Sequence, residues 1–372
     1  MASVAGNQLP TCYKTRRQDG TYDRFMAQLS KSLDQMLASK DYPADFARTT
    51  NRKGHYEYYS TGDNPSEFSA LIIGQVMVSE WGTDLYAKGN FRPYDDNKIT
   101  DDTVVRNTLV LCVPSQVTTD LTEFYYDQIG TLNDIRMMDE KEEESAAQNF
   151  RVTEWIRSSS MEPGKPSDLI VVTIADPKYT MRANLPINAA ATAAPKVKHI
   201  KKKRTANAEA EKMQDVQQEL TKPTGDDIRI GANYDPHLLP NYGGDLFDHQ
   251  KARLHQHDFR GIDDMLIPPW DWFTALRRGT LVLLNVSLHC WIYPPTNPKF
   301  PTCKTYQVQA HNLRVLSESD EFCVIPWPTL SPIVRVSAHS SNPLTAFTEF
   351  NASPPKKAKA DVTKGKVKAK TD

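Results

Sequence analysis

The clearest hydrophobic pattern in this chain is the strict alternation over residues 280–293, TLVLLNVSLHCWIY. Apolar side chains occupy every second position, which is typical of a β-strand with one buried face. The other face carries His289, Trp291 and Tyr293. A slip of one residue would expose the whole apolar set, so the register is strongly specified. The pattern predicts a long strand with an aromatic, polar outer face.

A second strand is predicted over residues 304–316, KTYQVQAHNLRVL, beyond a proline-rich loop. Its alternation breaks near His311, and a β-bulge there would return Leu313 and Val315 to the core. We expect the two strands to pair as a hairpin whose outer face presents aromatic and basic side chains. The second strand is predicted to contribute Lys304, Tyr306 and Arg314 to that face.

Shorter patterns predict the remaining elements. Apolar runs indicate strands at 68–81, 104–113, 150–156 and 169–175. Helical periodicity or helix signals indicate helices at 24–40, 121–135 and 270–278, the last ending at Gly279. The acidic run at 139–144, DEKEEE, is predicted to be a solvated loop.

These elements predict a mainly β (α+β) protein with two small barrel domains. The expected organisation is an N-terminal helical and irregular segment (1–64), a first β-rich domain (65–180), a basic flexible linker (181–234), an OB-like β domain (235–350) and a disordered lysine-rich tail (351–372).

Charge is distributed unevenly along the chain. Residues 354–372 contribute +5 and residues 195–204 contribute +6 to a total formal charge of −1, so the remainder carries −12. The basic stretches indicate nuclear import signals or nucleic-acid-binding arms, and the alternative is a solvated tail that only aids solubility. The predicted location is the nucleus, with an import receptor as a possible partner. The import signals are assigned to Lys201, Lys202, Lys203, Arg204, Lys356 and Lys357.

Several protein classes are disfavoured by the sequence. No apolar run approaches 18 residues, so no membrane-spanning helix is expected, and the first residues lack the apolar region of a secretory signal. The five cysteines lack CxxC spacing and are expected to be reduced thiols of an intracellular protein. Phosphate-loop, dinucleotide-binding and nucleophile motifs are missing from the sequence, so we predict a non-enzymatic protein without a cofactor.

A histidine-rich stretch offers the remaining candidate chemistry. His249, His255 and His257 occur with Asp245, Asp248 and Asp258 in DLFDHQKARLHQHDF. Imidazole and carboxylate groups can bind zinc or iron, and a metal-dependent enzyme using these histidines is a third functional hypothesis. No HExxH or cysteine pattern accompanies them, so a polar, partly exposed segment is favoured and no metal is predicted.

The hairpin resembles an OB-fold of the replication protein A type over about residues 263–325. The resemblance is carried by a short helix, GTLVLLNVSLHCWIY, a proline loop and KTYQVQAHNLRVL, an arrangement also similar to uncharacterised fungal proteins with LIPPW…GTLVL…KTYQV…H-x-x-RVL. It implies binding of single-stranded nucleic acid, with DNA favoured. The implied stacking residues are Trp291, Tyr293 and Tyr306, with His289 beside them and Lys304 and Arg314 near phosphates.

Two observations weigh against this function. Residues 226–353 hold ten Lys/Arg and thirteen Asp/Glu, a poor balance for binding phosphates. Trp291 and Tyr293 could also serve only to cover the end of a small barrel. The alternative hypothesis is a nuclear scaffold module that binds peptides.

Overall fold

The computed structural model describes residues 10–93, 97–145, 150–162, 164–181, 222–295 and 299–324. All of them belong to one unit, Met1–Thr329. Within these ranges the strands are β1 (Phe46–Thr50), β2 (Tyr56–Ser60), β3 (Ala70–Val76), β4 (Ile99–Thr100), β5 (Thr108–Cys112), β6 (Phe150–Thr153), β7 (Ile156–Arg157), β8 (Leu169–Ile174), β9 (Tyr179–Thr180), β10 (Asn233–Tyr234), β11 (Phe247–Asp248), β12 (Arg253–His255), β13 (Asp258–Arg260), β14 (Leu281–Tyr293) and β15 (Thr302–Ser317). The α-helices are α1 (Thr11–Gln18), α2 (Thr21–Leu29), α3 (Thr119–Ser145) and α4 (Trp272–Ala275).

The predicted long hairpin is confirmed as the antiparallel pair of β14 and β15. The register shifts between Asn285 and Val286, because His311 is an extra residue in β15. This is the predicted bulge, and beyond it Leu313 and Val315 are buried, as expected.

Five strands pair in a closed ring. β3 pairs with β5, β5 with β8, β8 with β15, β15 with β14, and β14 with β3 again. Every pairing is antiparallel except that of β8 with β15, which is parallel. Strands from 65–180 and from 235–350 therefore share one sheet, and the two separate barrels predicted from the sequence are not confirmed.

The ring encloses an apolar core. Its inward positions come from all five strands and are almost fully excluded from water: Ala70, Ile72, Val76, Leu109, Leu111, Ile170, Val172, Val282, Leu284, Val286, Val308 and Ala310. The alternation of β14 predicted from the sequence is confirmed by the burial of its apolar set.

Helix α3 packs against the ring where β3 and β5 separate. These two strands pair only at Gln75–Val76. Two residues earlier in β3, at Ile73, Gln128 of α3 takes the place of a strand partner. The Gln128 side chain bonds both the N–H (2.8 Å) and the C=O (3.0 Å) of Ile73. The helix thereby satisfies buried backbone groups that the splayed strands leave open.

The ends of β14 and β15 extend beyond the ring and carry additional strands. The β1–β2 hairpin joins β14 at His289 and Cys290. On the far edge of β15, the short strands β6 and β13 pair on either side of the ring strand β8, and all three are parallel to β15. β7 pairs antiparallel with β8, and two small sheets, β10–β12–β9 and β11–β4, complete the pairing of the named strands among the described residues.

Three predicted helical or loop segments differ in the structure. The acidic run 139–144 is not a loop but the end of α3, because Arg48 and Lys304 from distant strands pair with its carboxylates. The helix predicted at 24–40 ends at Leu29, where the Ser30 hydroxyl donates to the Met26 carbonyl and a 3-10 segment begins. The helix predicted at 270–278 is reduced to α4.

The segment predicted as a flexible linker is only partly described. Residues 222–234 contain a 3-10 turn and β10, so this end of the predicted linker is ordered. Residues 182–221 and the predicted tail at 351–372 lie outside the described residues. Among the described helices, none combines the length and apolar character needed to cross a membrane.

Candidate ligand-binding face of the long hairpin

Four aromatic rings gather on the outer face where β14 extends beyond the ring of strands. We call His55, His289, Trp291 and Tyr293 the aromatic patch. The imidazole of His289 and the indole of Trp291 are nearly parallel, with centroids 5.8 Å apart and 14° between planes. His55 approaches the rings of Trp291 and Tyr293 at 5.0 and 5.8 Å. The hairpin thus presents a row of flat rings on one surface.

Hydrogen bonds hold two of these rings in place. Trp291 Nε1–H donates to Gln307 Oε1 (2.9 Å), and His55 Nδ1 accepts from the Ile292 N–H (3.1 Å). Tyr293 is 51% exposed, while Trp291 is half-buried. The patch therefore combines a fixed, half-buried indole with an accessible phenol.

Beside the patch, Ser287 lies between two histidines without forming a catalytic triad. Its hydroxyl is within hydrogen-bond distance of His289 Nε2 (3.0 Å) and His311 Nε2 (2.8 Å). In a Ser–His–acid triad the carboxylate contacts the ring nitrogen opposite the serine. Here Glu67 Oε1 lies 3.5 Å from Nε2 of His289, the same nitrogen that faces Ser287. Burial lowers the pKa of His289, and Glu67 opposes that shift.

Three exposed basic residues belong to segments that adjoin the patch, and we call them the rim residues. Arg52 and Lys53 are exposed in the turn that leads to His55. Arg151 of β6 is exposed and registers with Cys303, which in turn registers with Tyr293. Registered neighbours point to the same face of a sheet, so Arg151 and the Tyr293 phenol share the outer face.

Two carboxylates lie beside the patch: Glu67 approaches His289 and is 56% exposed, whereas Glu57 accepts hydrogen bonds from other donors. Glu57 registers with His289 on the same face. It accepts hydrogen bonds from Asn51 Nδ2 (2.7 Å) and from the Tyr59 hydroxyl (3.1 Å). These two contacts engage both carboxylate oxygens, while the charge of Glu57 still acts on His289.

The structure overturns two of the predicted ligand-binding residues. Tyr306 registers with Cys290 and Lys304 with Ile292, so both point to the core, with exposures of 2% and 0%. Their prediction as outer-face residues is wrong, because the bulge at His311 reverses the phase of the strand. The sequence did contain evidence for the burial of Tyr306, since it lies at an alternate position of the strand in phase with the apolar residues Val308 and Ala310.

Lys304 and Tyr306 form a buried polar cluster with two carboxylates of α3. Lys304 Nζ bonds Asp139 and Glu143 of α3, and the Tyr306 hydroxyl donates to Asp139. Burial and the adjacent Asp139 charge raise the pKa of Tyr306, so its hydroxyl stays protonated. This cluster ties β15 to α3 and is inaccessible to a ligand.

Other predicted residues fall in different places. His289, Trp291 and Tyr293 come together as expected, whereas Arg314 pairs with Asp264 beside Arg260, outside the patch. The predicted import residues lie outside the described residues: Lys201, Lys202, Lys203, Arg204, Lys356 and Lys357. His55 and Arg151 were missed, because no local pattern indicates that a turn residue and a short strand flank β14 and β15.

The histidine-rich stretch separates into two environments. His255 and His257 lie close to Asp176, with one potential ligand atom from each residue within 4.8 Å of the others. His249 instead packs against Tyr179 and accepts or donates a hydrogen bond with the Tyr242 hydroxyl (3.1 Å). The predicted grouping of all three histidines is therefore wrong, and Asp176 is the third member.

Comparisons with known proteins provide no functional assignment, so the proposal below is based on the geometry of the aromatic patch. A scan against protein-family models, a search of curated proteins and a search of solved structures each found no match to the chain.

Proposed function

We propose that the ring of five strands is an OB-like barrel and that the protein binds single-stranded nucleic acid at the aromatic patch. OB-folds are five-stranded Greek-key barrels, and the loop between their fourth and fifth strands takes part in binding oligonucleotides. In chain order, β14 and β15 are the fourth and fifth strands of the ring. Their connection begins directly after Tyr293, so the patch stands beside that loop. This juxtaposition is the observation that carries the proposal.

The rings supply the non-specific part of the affinity. Stacking of a base on an aromatic side chain contributes about 1–3 kcal/mol and tolerates any base sequence. Tyr293 offers an exposed ring, and Phe300, 66% exposed, lies on the other side of the same loop. The patch is therefore suited to unpaired bases, whose faces are accessible, and not to a closed duplex.

Basic residues supply the contacts to phosphate. Arg52, Lys53 and Arg151 flank the rings, and the basic stretches at 195–204 and 354–372 add sequence-independent attraction. Because Lys304 is buried in the core, fewer cations are available on the outer face. The rim residues therefore contribute a larger share of the proposed contacts to phosphate. We further propose DNA as the favoured ligand, a non-enzymatic role, and nuclear import of the protein through an import receptor.

The test is a titration of a fluorescein-labelled oligodeoxythymidine with the full chain, followed by fluorescence anisotropy at two salt concentrations. Tyr293→Ala is expected to weaken binding about tenfold, the loss of one stacked base. Tyr126→Ala is the matched control, because Tyr126 is 42% exposed on the unrelated helix α3. Equal losses in the two variants, or no binding by the wild-type chain at low salt, would contradict the proposal.

The phosphate contacts have a separate signature. Arg151→Gln should weaken binding and lower the slope of log affinity against log salt by about one. Arg17→Gln replaces an exposed arginine of α1 and should leave the slope unchanged. Labelled oligouridine and duplex DNA distinguish RNA and paired ligands from the favoured one. A peptide-binding scaffold would instead retain a protein partner at high salt while showing no oligonucleotide binding.

A further inference from the structure

Three potential metal ligands from separate segments converge beside the bulge of β15. Asp176 follows β8, His255 ends β12, and His257 directly precedes β13. One potential ligand atom from each residue lies within 4.8 Å of the other two. We propose that Asp176, His255 and His257 bind one divalent transition-metal ion of the zinc class.

His257 provides an independent observation that points to a ligand. Its side chain is 2% exposed, and neither ring nitrogen has a hydrogen-bond partner. A buried polar group without a partner is costly, and native structures rarely leave one unsatisfied. The ring lies flat against Trp272, with centroids 4.7 Å apart and 10° between planes. A bound ion would satisfy one nitrogen of a ring that packing already holds in position.

His255 has the outer contact typical of a metal ligand. Its Nδ1 lies 3.2 Å from Asn233 Oδ1 on the paired strand β10. Metal-binding histidines usually donate their second ring N–H to a carbonyl or carboxylate, which fixes the tautomer and the ring orientation. In the tautomer that donates Nδ1–H to Asn233, Nε2 carries the lone pair that a metal requires.

The ligand set indicates the class of ion. Two imidazoles and one carboxylate occur in catalytic zinc sites and in facial iron(II) sites, both of which keep an open coordination position. Ligand atoms around a tetrahedral zinc ion lie roughly 3.4 Å apart. The three atoms here are at most 4.8 Å apart, so a small side-chain adjustment would bring them to that spacing. Asp176 is exposed and can make that adjustment, and its exposure leaves the open position accessible to water.

One neighbouring charge opposes the ion. Lys178 lies close enough to His257 to disfavour added positive charge there. Its Nζ donates to the Leu85 carbonyl (2.9 Å) and to the Tyr86 carbonyl, which direct the ammonium to backbone oxygens. We therefore expect affinity in the micromolar range, below that of closed structural zinc sites.

The experiment uses the metal-free full chain titrated with Zn²⁺ by calorimetry and with Co²⁺ by electronic absorption. One ion per chain is expected, with d–d bands and no thiolate charge-transfer band. Asp176→Asn and His255→Gln should each weaken binding at least about tenfold, since loss of an outer-shell contact alone costs that much. His257 is not substituted, because its burial against Trp272 couples any change to folding.

Matched controls come from the same histidine-rich stretch. Asp245→Asn and His249→Gln remove an exposed carboxylate and an imidazole outside the cluster, and both should bind like the wild type. Wild-type affinity in Asp176→Asn and His255→Gln would overturn the proposal. So would a thiolate spectrum, which would assign the ion to cysteine, or the absence of binding by the wild-type chain. Oligonucleotide binding is not needed for any of these readouts.

Discussion

The Lys304 ammonium lies 3.4 Å from the Asp139 carboxylate in the protein interior, where the two side chains are 0% and 1% exposed. Lys304 belongs to β15 and Asp139 to α3, so this ion pair connects the barrel to its helix. The rings of Tyr56, Phe150 and Tyr306 lie within 5.4 Å of the same nitrogen. A side chain predicted to contact phosphate is therefore enclosed by carboxylates and aromatic faces.

Lys304→Met is expected to lower the free energy of unfolding by about 3–5 kcal/mol. Removing one partner of a buried ion pair is strongly destabilising. Here Glu143 loses its lysine partner, and Asp139 keeps only Arg48 and the Tyr306 hydroxyl. Urea denaturation measures the change. Lys165→Met is the control, because Lys165 pairs with Glu162 on the surface and should change stability by no more than about 1 kcal/mol. Similar losses in both variants would show that the interior pair is not a stabilising contact.

Gln128→Leu should destabilise the fold by about 2–4 kcal/mol, because it leaves the buried N–H and C=O of Ile73 without their partner. Hydrogen exchange provides a local readout, since the Ile73 amide should lose protection before the rest of β3. Asn133→Leu, at an exposed position of α3, is the control. Retained protection at Ile73 in Gln128→Leu would mean that another group replaces the carboxamide.

Stability should fall in mild acid through His289. Burial lowers the pKa of this ring, and Glu67 opposes the shift. The unfolded chain then binds the proton at a higher pH than the folded chain, so stability decreases as the pH falls below about 6.5. His289→Gln should reduce the pH dependence of the free energy of unfolding, by at most about 1.4 kcal/mol per pH unit.

The control for this pH dependence is His237→Gln, whose imidazole is 61% exposed. That variant retains His289 and should therefore retain the loss of stability between about pH 7 and pH 5. A His289→Gln profile identical to that of the wild type would contradict the expected linkage.

Replacing the first basic cluster should reduce nuclear accumulation of a fluorescent fusion, because import receptors bind lysine- and arginine-rich segments. The substitutions to Gln are at Lys201, Lys202, Lys203 and Arg204. The control substitutes four exposed lysines of the folded unit with Gln: Lys14, Lys31, Lys141 and Lys165. The nuclear-to-cytoplasmic fluorescence ratio is the measurement. An equal ratio for the two variants would exclude this cluster as an import signal, and Lys356 and Lys357 would then be tested in the same way.

Local patterns predicted the structure correctly where the alternation of apolar and polar residues along one strand determines which side chains are buried. The alternation of β14, its pairing with β15 and the bulge at His311 all follow from which positions must avoid water. Gly279 has the predicted left-handed conformation, with φ of +87°, but the helix that it was predicted to end already stops at Ala275. The phase of β15 before the bulge was misjudged because Tyr306 and Lys304 were interpreted by residue type and not by their shared period with Val308.

Local alternation was enough to predict the long hairpin, its buried apolar face and the outward position of His289, Trp291 and Tyr293, since each depends on nearest neighbours along one strand. The folded chain was needed to show that distant strands close a single ring, that Lys304 contacts Asp139, and that Asp176 lies beside His255 and His257. The physical reason is that charge and polarity at one residue set its cost of burial, whereas its partners, which can offset that cost, come from segments far away in the chain.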